Sequence, residues 1–319
     1  MTSFADKLGS VVTSTYVGFA LSLCKDVGIL EVLMDAEMPL TSQEIADKKD
    51  LKERYVRELL GSLATAEVVH VSKNESGALV YHLDEDEKAL LKTLMMALIS
   101  GPSVMSPQFD TVKSCLPSKG PTGGKFTNRT HDYIEEFTTN LLNQYVEAVL
   151  KHVPGLKEKL ERGIEVLEVG CGRGRLLAKF ALMFPKSTFT ASDYADFLLD
   201  QLKTNLGHIP NIKYALIDVC CPRNLPKKKY DWVYCANTIH DVPNPPEALK
   251  NIKKLLKAPD DTFTMFEIAT SGSPMADKGN QLVACLYAIS SFMCVPESYT
   301  NKDSYAMGMC FGNKEQLTC

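Results

Sequence analysis

Between Ile164 and Arg175 an apolar strand ends in Glu168 and breaks into three glycines, Gly170, Gly172 and Gly174, spaced G-x-G-x-G. A turn of this kind uses backbone conformations that side chains disfavour, and it leaves bare backbone open to a ligand. The helix that follows, with Leu176, Leu177, Phe180 and Phe184 on one face, begins with unpaired N–H groups directed into the turn. Strand, tight glycine turn and amphipathic helix together predict an α/β, Rossmann-like sheet with a nucleotide-type site.

Spacing and the preceding acid select the kind of ligand. A dinucleotide fingerprint wants a small residue three positions after its second glycine, where helix and strand pack closely around a pyrophosphate. Here that position is Arg175, and the third glycine comes one residue early. The carboxyl of Glu168, two residues before the first glycine, suits a ligand carrying an ammonium group better than one carrying a pyrophosphate. S-adenosylmethionine, cationic and free of phosphate, fits both features.

At this point the chain resembles the class I S-adenosylmethionine-dependent methyltransferases, and three further segments agree in order. The run 187–193 reads as a second strand ending in Asp193, where that family places the carboxylate that bonds the ribose hydroxyls, with Tyr194 next to it. The run 212–219 reads as a third strand, and the resemblance gives Asp218, followed by Val219, the adenine amino group. The run 230–237 is a fourth strand whose end, at Asn237, borders the methionine and methyl group. The resemblance thus implies a cofactor site of Glu168, Gly170, Gly172, Gly174, Asp193, Tyr194, Asp218, Val219 and Asn237.

Just beyond that strand lies His240-Asp241. An imidazole titrating near neutrality can take a proton from a hydroxyl as a methyl group is transferred. Plant-type O-methyltransferases carry a His-Asp pair here with the histidine as base, which makes His240 the candidate catalytic residue. This chain continues Val242-Pro243 where that family has an aromatic residue, so a second reading stays open in which His240 merely caps the loop. Glu267, at the end of a fifth strand over 262–268, occupies another place where the family has a polar residue near the histidine; its alternative is a solvated loop carboxylate.

The first hundred residues differ in texture. Helical periodicity runs through Val17, Leu21, Cys24, Ile29, Leu30 and Leu33, and Thr41 with Glu44 forms a capping-box pattern. A helix over 51–66 and a hairpin over 68–82, turning at Asn74 to Gly77, complete a winged helix-turn-helix. Its would-be recognition helix carries Lys52, Glu53, Arg54, Arg57 and Glu58, mixed signs with little grip on phosphates. Small-molecule O-methyltransferases use such a unit for dimer contacts and to roof the substrate site, so the resemblance implies a homodimer acting on a small-molecule acceptor. The expected division is 1–100 winged helix, 101–152 linker loop and connecting helix, and 153–319 methyltransferase domain.

Net charge of −4, with 23% charged and 45% hydrophobic residues, argues for a soluble protein and against a general nucleic-acid binder. No apolar run approaches the length of a membrane span, and the first residues lack the pattern of a signal peptide. A cytoplasmic protein is expected. The ten cysteines lie mostly in apolar runs at no metal-like spacing, so they read as reduced thiols and no metal is expected.

Residues 117–124 are too rich in Pro and Gly for an element. A helix from about His131 to His152 follows, with an apolar stripe from Tyr133 to Val149 read as core; His131 and Tyr133 near its start are open to lining the pocket, but His131 reads first as a satisfied surface residue. After Ile268 only helix-like sequence follows, over 281–293 and 304–317, where the family's sheet closes with an antiparallel hairpin. The fifth strand is therefore expected to be an edge. Besides an active small-molecule methyltransferase, two readings stay open: a catalytically inactive scaffold holding an adenosyl ligand, and a winged-helix DNA-binding regulator.

Overall fold

The computed structural model describes residues 3–312, and the chain divides into two compact units, Met1–Pro107 and Gln108–Cys319. The boundary differs from the expected three-part division. Residues 101–105 are helical and belong to the first unit, and the connecting helix is part of the second.

The first unit runs α1 (Phe4–Asp26), α2 (Ile29–Asp35), β1 (Leu40–Thr41), α3 (Ser42–Lys48), α4 (Glu53–Thr65), β2 (His70–Lys73), β3 (Leu79–His82), α5 (Glu85–Leu91), α6 (Leu94–Ile99) and α7 (Gly101–Met105). The expected Thr41/Glu44 capping box is formed and starts α3. The strands pair antiparallel in the order β1-β3-β2, which makes the wing. Leu30, Leu33, Ile45, Leu60 and Leu63 are fully buried between α2, α3 and α4.

The second unit contains α8 (Phe109–Cys115), α9 (Asn128–His152), α10 (Leu156–Arg162), β4 (Glu165–Val169), α11 (Arg175–Met183), β5 (Thr188–Asp193), α12 (Asp196–Leu206), β6 (Ile212–Leu216), β7 (Trp232–Ala236), α13 (Pro245–Leu255), β8 (Thr262–Phe266), α14 (Gln281–Phe292) and α15 (Cys294–Ser298). Its strands are all parallel, in the order β6-β5-β4-β7-β8. Alternate residues face opposite sides: Val166, Trp232 and Tyr234 join a core with α9, α10, α11 and α12, whereas Leu167, Val169, Val233 and Cys235 join one with α13. Both faces are covered, as parallel sheets require.

The strand order reverses between β4 and β7, so a crevice opens where their C-terminal ends part, the usual ligand position in open α/β sheets. Among the described residues no strand pairs with the outer edge of β8, in line with the expected edge. The helix expected over 304–317 does not form within the described part: residues 304–312 are turn and coil, and 313–317 lie outside the described residues. Gly308 and Gly312, both at positive φ, break that segment.

Phe180 is fully buried, edge-on to Trp232 at 5.2 Å and to Tyr234 at 5.8 Å between ring centres. Phe180→Ala is expected to lower unfolding stability by about 3–5 kcal/mol. Urea denaturation measures this, and a loss under about 1 kcal/mol would show that helix α11 does not hold the sheet as described.

Candidate active site

The glycine turn sits in the crevice between β4 and β7, and each glycine has its own reason to lack a side chain. A Cβ on Gly170 would lie 2.3 Å from Thr238 Cγ2, and one on Gly174 would lie 2.7 Å from Leu202 Cδ2. Gly172, at φ +52°, faces open space, so its bare backbone is what a ligand meets. Helix α11 starts directly after, with no side-chain cap on its first N–H groups.

Asp193, at the end of β5, holds this turn in place. Its Oδ2 accepts from the Gly172 N–H at 3.0 Å and its Oδ1 from the Ala195 N–H at 3.1 Å. Burial raises its carboxyl above the usual range, against the backbone N–H groups that favour the charged form. A carboxylate has about four lone-pair positions, so acceptor capacity remains for a ligand hydroxyl. Glu168 lies beneath the turn, its Oε2 accepting from Tyr234 Oη at 3.2 Å and its carboxyl also from the Leu177 N–H. Burial pushes it up to about 8.

A cavity beside the turn is lined by every expected cofactor residue: Glu168, the three glycines, Asp193, Tyr194, Asp218, Val219 and Asn237. Asp218 Oδ1 accepts from the Cys220 N–H at 2.8 Å, a local turn that fixes the carboxylate at the cavity wall. Asn237 adopts φ +51°, a conformation that asparagine tolerates better than most residues, and its Nδ2 donates to Tyr145 Oη at 2.8 Å.

A second, apolar cavity adjoins the first, and Phe126, Ile134, Thr138, Asn237 and Asp241 line both. His240, in a single 3-10 turn over Ile239–Asp241, lines this second cavity and is 2% exposed. Its Nδ1 bonds Glu267 Oε2, while Glu267 Oε1 accepts from the Ile239 N–H at 2.8 Å. Its Nε2 stands 3.5 Å from Asp241 Oδ1. Burial opposes the charged imidazole, but the carboxylates of Asp241 and Glu267 outweigh it and raise His240 to about 9. Burial also raises Asp241, to about 6.

The structure decides two open readings. Glu267 stands beside the histidine, as the resemblance implied, and is no solvated loop carboxylate, since its side chain is 5% exposed and clamps His240. His131 is no surface residue: it is buried edge-on between Phe126 and Phe197, its Nε2 lacks a hydrogen-bond partner, and burial lowers its ring to about 4.

Sequence reasoning missed Glu297, which is buried on the cavity wall. It bonds Tyr194 Oη, accepts from the Phe126 N–H and pairs with Lys125 Nζ at 3.3 Å, so one carboxylate gathers three parts of the wall. The only sequence signal was a lone acid after the apolar run Met293 to Pro296.

The pH dependence of stability follows from these groups. His240 is raised from 6.5 to about 9 and Glu168 from 4.5 to about 8, so the folded protein binds more protons than the unfolded chain in both ranges. The His240 contribution is fully present below pH 6.5 and is lost as pH rises through about 9; the proton held on Glu168 gives a slope of the same sign up to about 8. Unfolding free energy of the ligand-free protein is expected to fall between pH 6.5 and 9, and His240→Gln to flatten the upper part of that fall. Denaturation at a series of pH values measures this, and a flat or rising profile in the unsubstituted protein contradicts the charged clamp.

Comparison with known proteins agrees with this architecture. Residues 167–259 match the model of a methyltransferase domain, and residues 15–93 match that of an Rv2258c-like winged helix-turn-helix domain. Malonyl-[acyl-carrier protein] O-methyltransferase 1 of Ilyobacter polytropus is 30% identical over 117 residues, 34% of this chain and 43% of that protein. The chain spans about half or less of the length of the curated relatives it matches. Among solved structures, mitomycin 7-O-methyltransferase superposes with a TM-score of 0.67 at 14% identity, covering 92% of this chain and 86% of that one. Human N-acetylserotonin methyltransferase, solved with S-adenosylmethionine, gives 0.65 at 16% identity over 92% and 87%. The chain is a winged-helix domain of the Rv2258c-like kind followed by a methyltransferase domain of the class I, S-adenosylmethionine-dependent fold.

Proposed function

We propose that the chain is an S-adenosylmethionine-dependent O-methyltransferase acting on an uncharged hydroxyl of a small molecule, with His240 as the base. The observation that carries this reading is His240, which Glu267 clamps and which lines an apolar cavity adjoining the one at the glycine turn. In this reading Asp193 and Asp218, which line that cavity, accept from the ribose hydroxyls and the adenine amino group, with Tyr194, Val219 and the turn backbone beside them. When bound, S-adenosylmethionine supplies an electrophilic methyl carbon. Its sulfonium and ammonium charges favour the ionised form of Glu168, which is otherwise held protonated near neutrality by burial.

The second cavity also bears on the acceptor. Asp241 and Glu267 flank His240, and no Lys or Arg is among the described residues lining this cavity. Malonyl-[acyl-carrier protein], the acceptor in the names of curated relatives, carries a free carboxylate, which those two acids would repel. A neutral hydroxyl meets no such penalty. Glu267 fixes the ring by Nδ1, so in this reading Nε2, which stands 3.5 Å from Asp241 Oδ1, is the nitrogen that takes the hydroxyl proton. Apolar walls from Ile134, Phe137, Leu286 and Met293 keep water from the reacting atoms.

The winged helix fits assembly better than DNA binding. On α4, Arg54 pairs with Glu58 and Arg57 with Glu53, so its cations are already neutralised. Helix α1 instead exposes Phe4, Leu8, Val12, Tyr16, Phe19 and Leu23 at helical spacing, a stripe suited to a second copy of this chain. The cytoplasmic location expected from the sequence stays part of this proposal, and the described cysteines, all free thiols, suit a reducing compartment.

Assay with labelled S-adenosylmethionine against pooled neutral hydroxyl metabolites and, separately, malonyl thioesters tests the activity. Label is expected on a neutral hydroxyl product, with a rate that rises towards pH 9 as His240 loses its proton. Glu267→Gln should move that rise to lower pH, and His240→Asn should cut turnover by about 10²–10⁴ with cofactor affinity unchanged. Transfer to the malonyl carboxylate, or a rate indifferent to both substitutions, contradicts the reading.

Assembly is tested by light scattering. The chain is expected to be a dimer at micromolar concentration and Phe19→Glu a folded monomer. A monomeric unsubstituted protein would contradict the dimer.

A further inference from the structure

The wing of the first unit carries a cluster of side chains that the proposed chemistry does not use. His70 on β2 and His82 on β3 are direct cross-strand partners, with their rings stacked at 5.0 Å and 24°. Immediately after β3, Asp84 and Glu87 form the capping box of α5, in which the Asp84 N–H donates to Glu87 Oε2 at 2.8 Å. This bond pins one oxygen of Glu87 to the backbone and turns the other towards the wing. Glu87 Oε1 thus stands 3.0 Å from His70 Nε2, and Asp84 Oδ2 stands 3.4 Å from the same nitrogen. His82 Nε2 approaches the other oxygen of Asp84 at 3.6 Å.

Donor atoms around a tetrahedral Zn²⁺ at about 2.0 Å are roughly 3.3 Å apart. The spacings of His70 Nε2 to both carboxylates are of that size, and three donors of zinc-binding type converge from two elements. We propose that His70, Asp84 and Glu87 form a divalent transition-metal site, best suited to Zn²⁺, on the surface of the winged-helix unit. One neutral imidazole and two carboxylates balance the ion's charge, and water completes its coordination at this exposed position. His82 acts one layer out, stacking on the ligand ring with its Nε2 3.6 Å from the second oxygen of Asp84, near enough to orient that ligand. The bound ion would tie the hairpin β2–β3 to helix α5. The site is separate from the methyltransferase domain, so the proposal stands or falls independently of the proposed reaction.

Titration of the full chain with Zn²⁺ by calorimetry near pH 7.5 tests it, with Co²⁺ as a spectroscopic substitute. One saturable equivalent in the micromolar range is expected, with a rise in thermal midpoint that a chelator reverses. Co²⁺ should give visible absorption of a four- or five-coordinate ion. His70→Ala should abolish both signals. Glu87→Gln, which keeps the capping hydrogen bond and so guards against a folding artefact, should weaken binding, and His82→Phe should weaken it by about 10–100-fold. Absence of saturable binding overturns the proposal, as does binding that survives His70→Ala unchanged, which would show that the ion sits elsewhere.

Discussion

The bond from the Gly172 N–H to the Asp193 carboxylate is the contact on which the site depends. It links the turn after β4 to the end of β5 across the mouth of the sheet, and it is made from a residue that cannot carry a side chain without filling the ligand space. Gly170 lets Thr238, just past β7, pack against the same turn, and Gly174 lets α12 pack against the start of α11. Three strand ends and two helices are thereby gathered around one short loop. The cavity is a consequence of that gathering at the point where strand order reverses.

Buried charge does the second part of the work. A histidine with 2% exposure keeps a raised affinity for its proton only because two carboxylates face it, and those carboxylates are in turn held by the Ile239 N–H and the Cys294 thiol. Removing one partner leaves an uncompensated buried charge, so the clamp is a single unit whose members do not act additively. The same logic explains Glu297, which stays buried because an N–H, an ammonium and a phenol all converge on it.

The sheet was legible in the sequence because its signals are local. An apolar run into a glycine turn marks β4, a run ending in an acid marks β5 and a run ending at Asn237 marks β7, each within a few residues, and the structure has strands at all three. The wing was legible for the same reason. What the sequence hid depends on distant partners: it left Glu267 open between a place near the histidine and a solvated loop, and it passed over Glu297, because the groups that bury them lie 27 to 172 positions away. His131 failed in the opposite sense, since a histidine near the start of a helix looks solvated until Phe126 and Phe197 are seen to enclose it. The tail over 304–312 reads as helical from its composition, but its glycines at positive φ end that pattern.

The central claim is that the glycine-turn cavity is an adenosyl-ligand site held by Asp193, and calorimetry with S-adenosylhomocysteine tests it most directly. The account predicts one tight site for it, none for NAD, and a loss of roughly 1.5–3 kcal/mol of binding in Asp193→Ala, the scale of a hydrogen bond to a charged group. Tight binding of NAD with no response to the adenosyl ligand would contradict it.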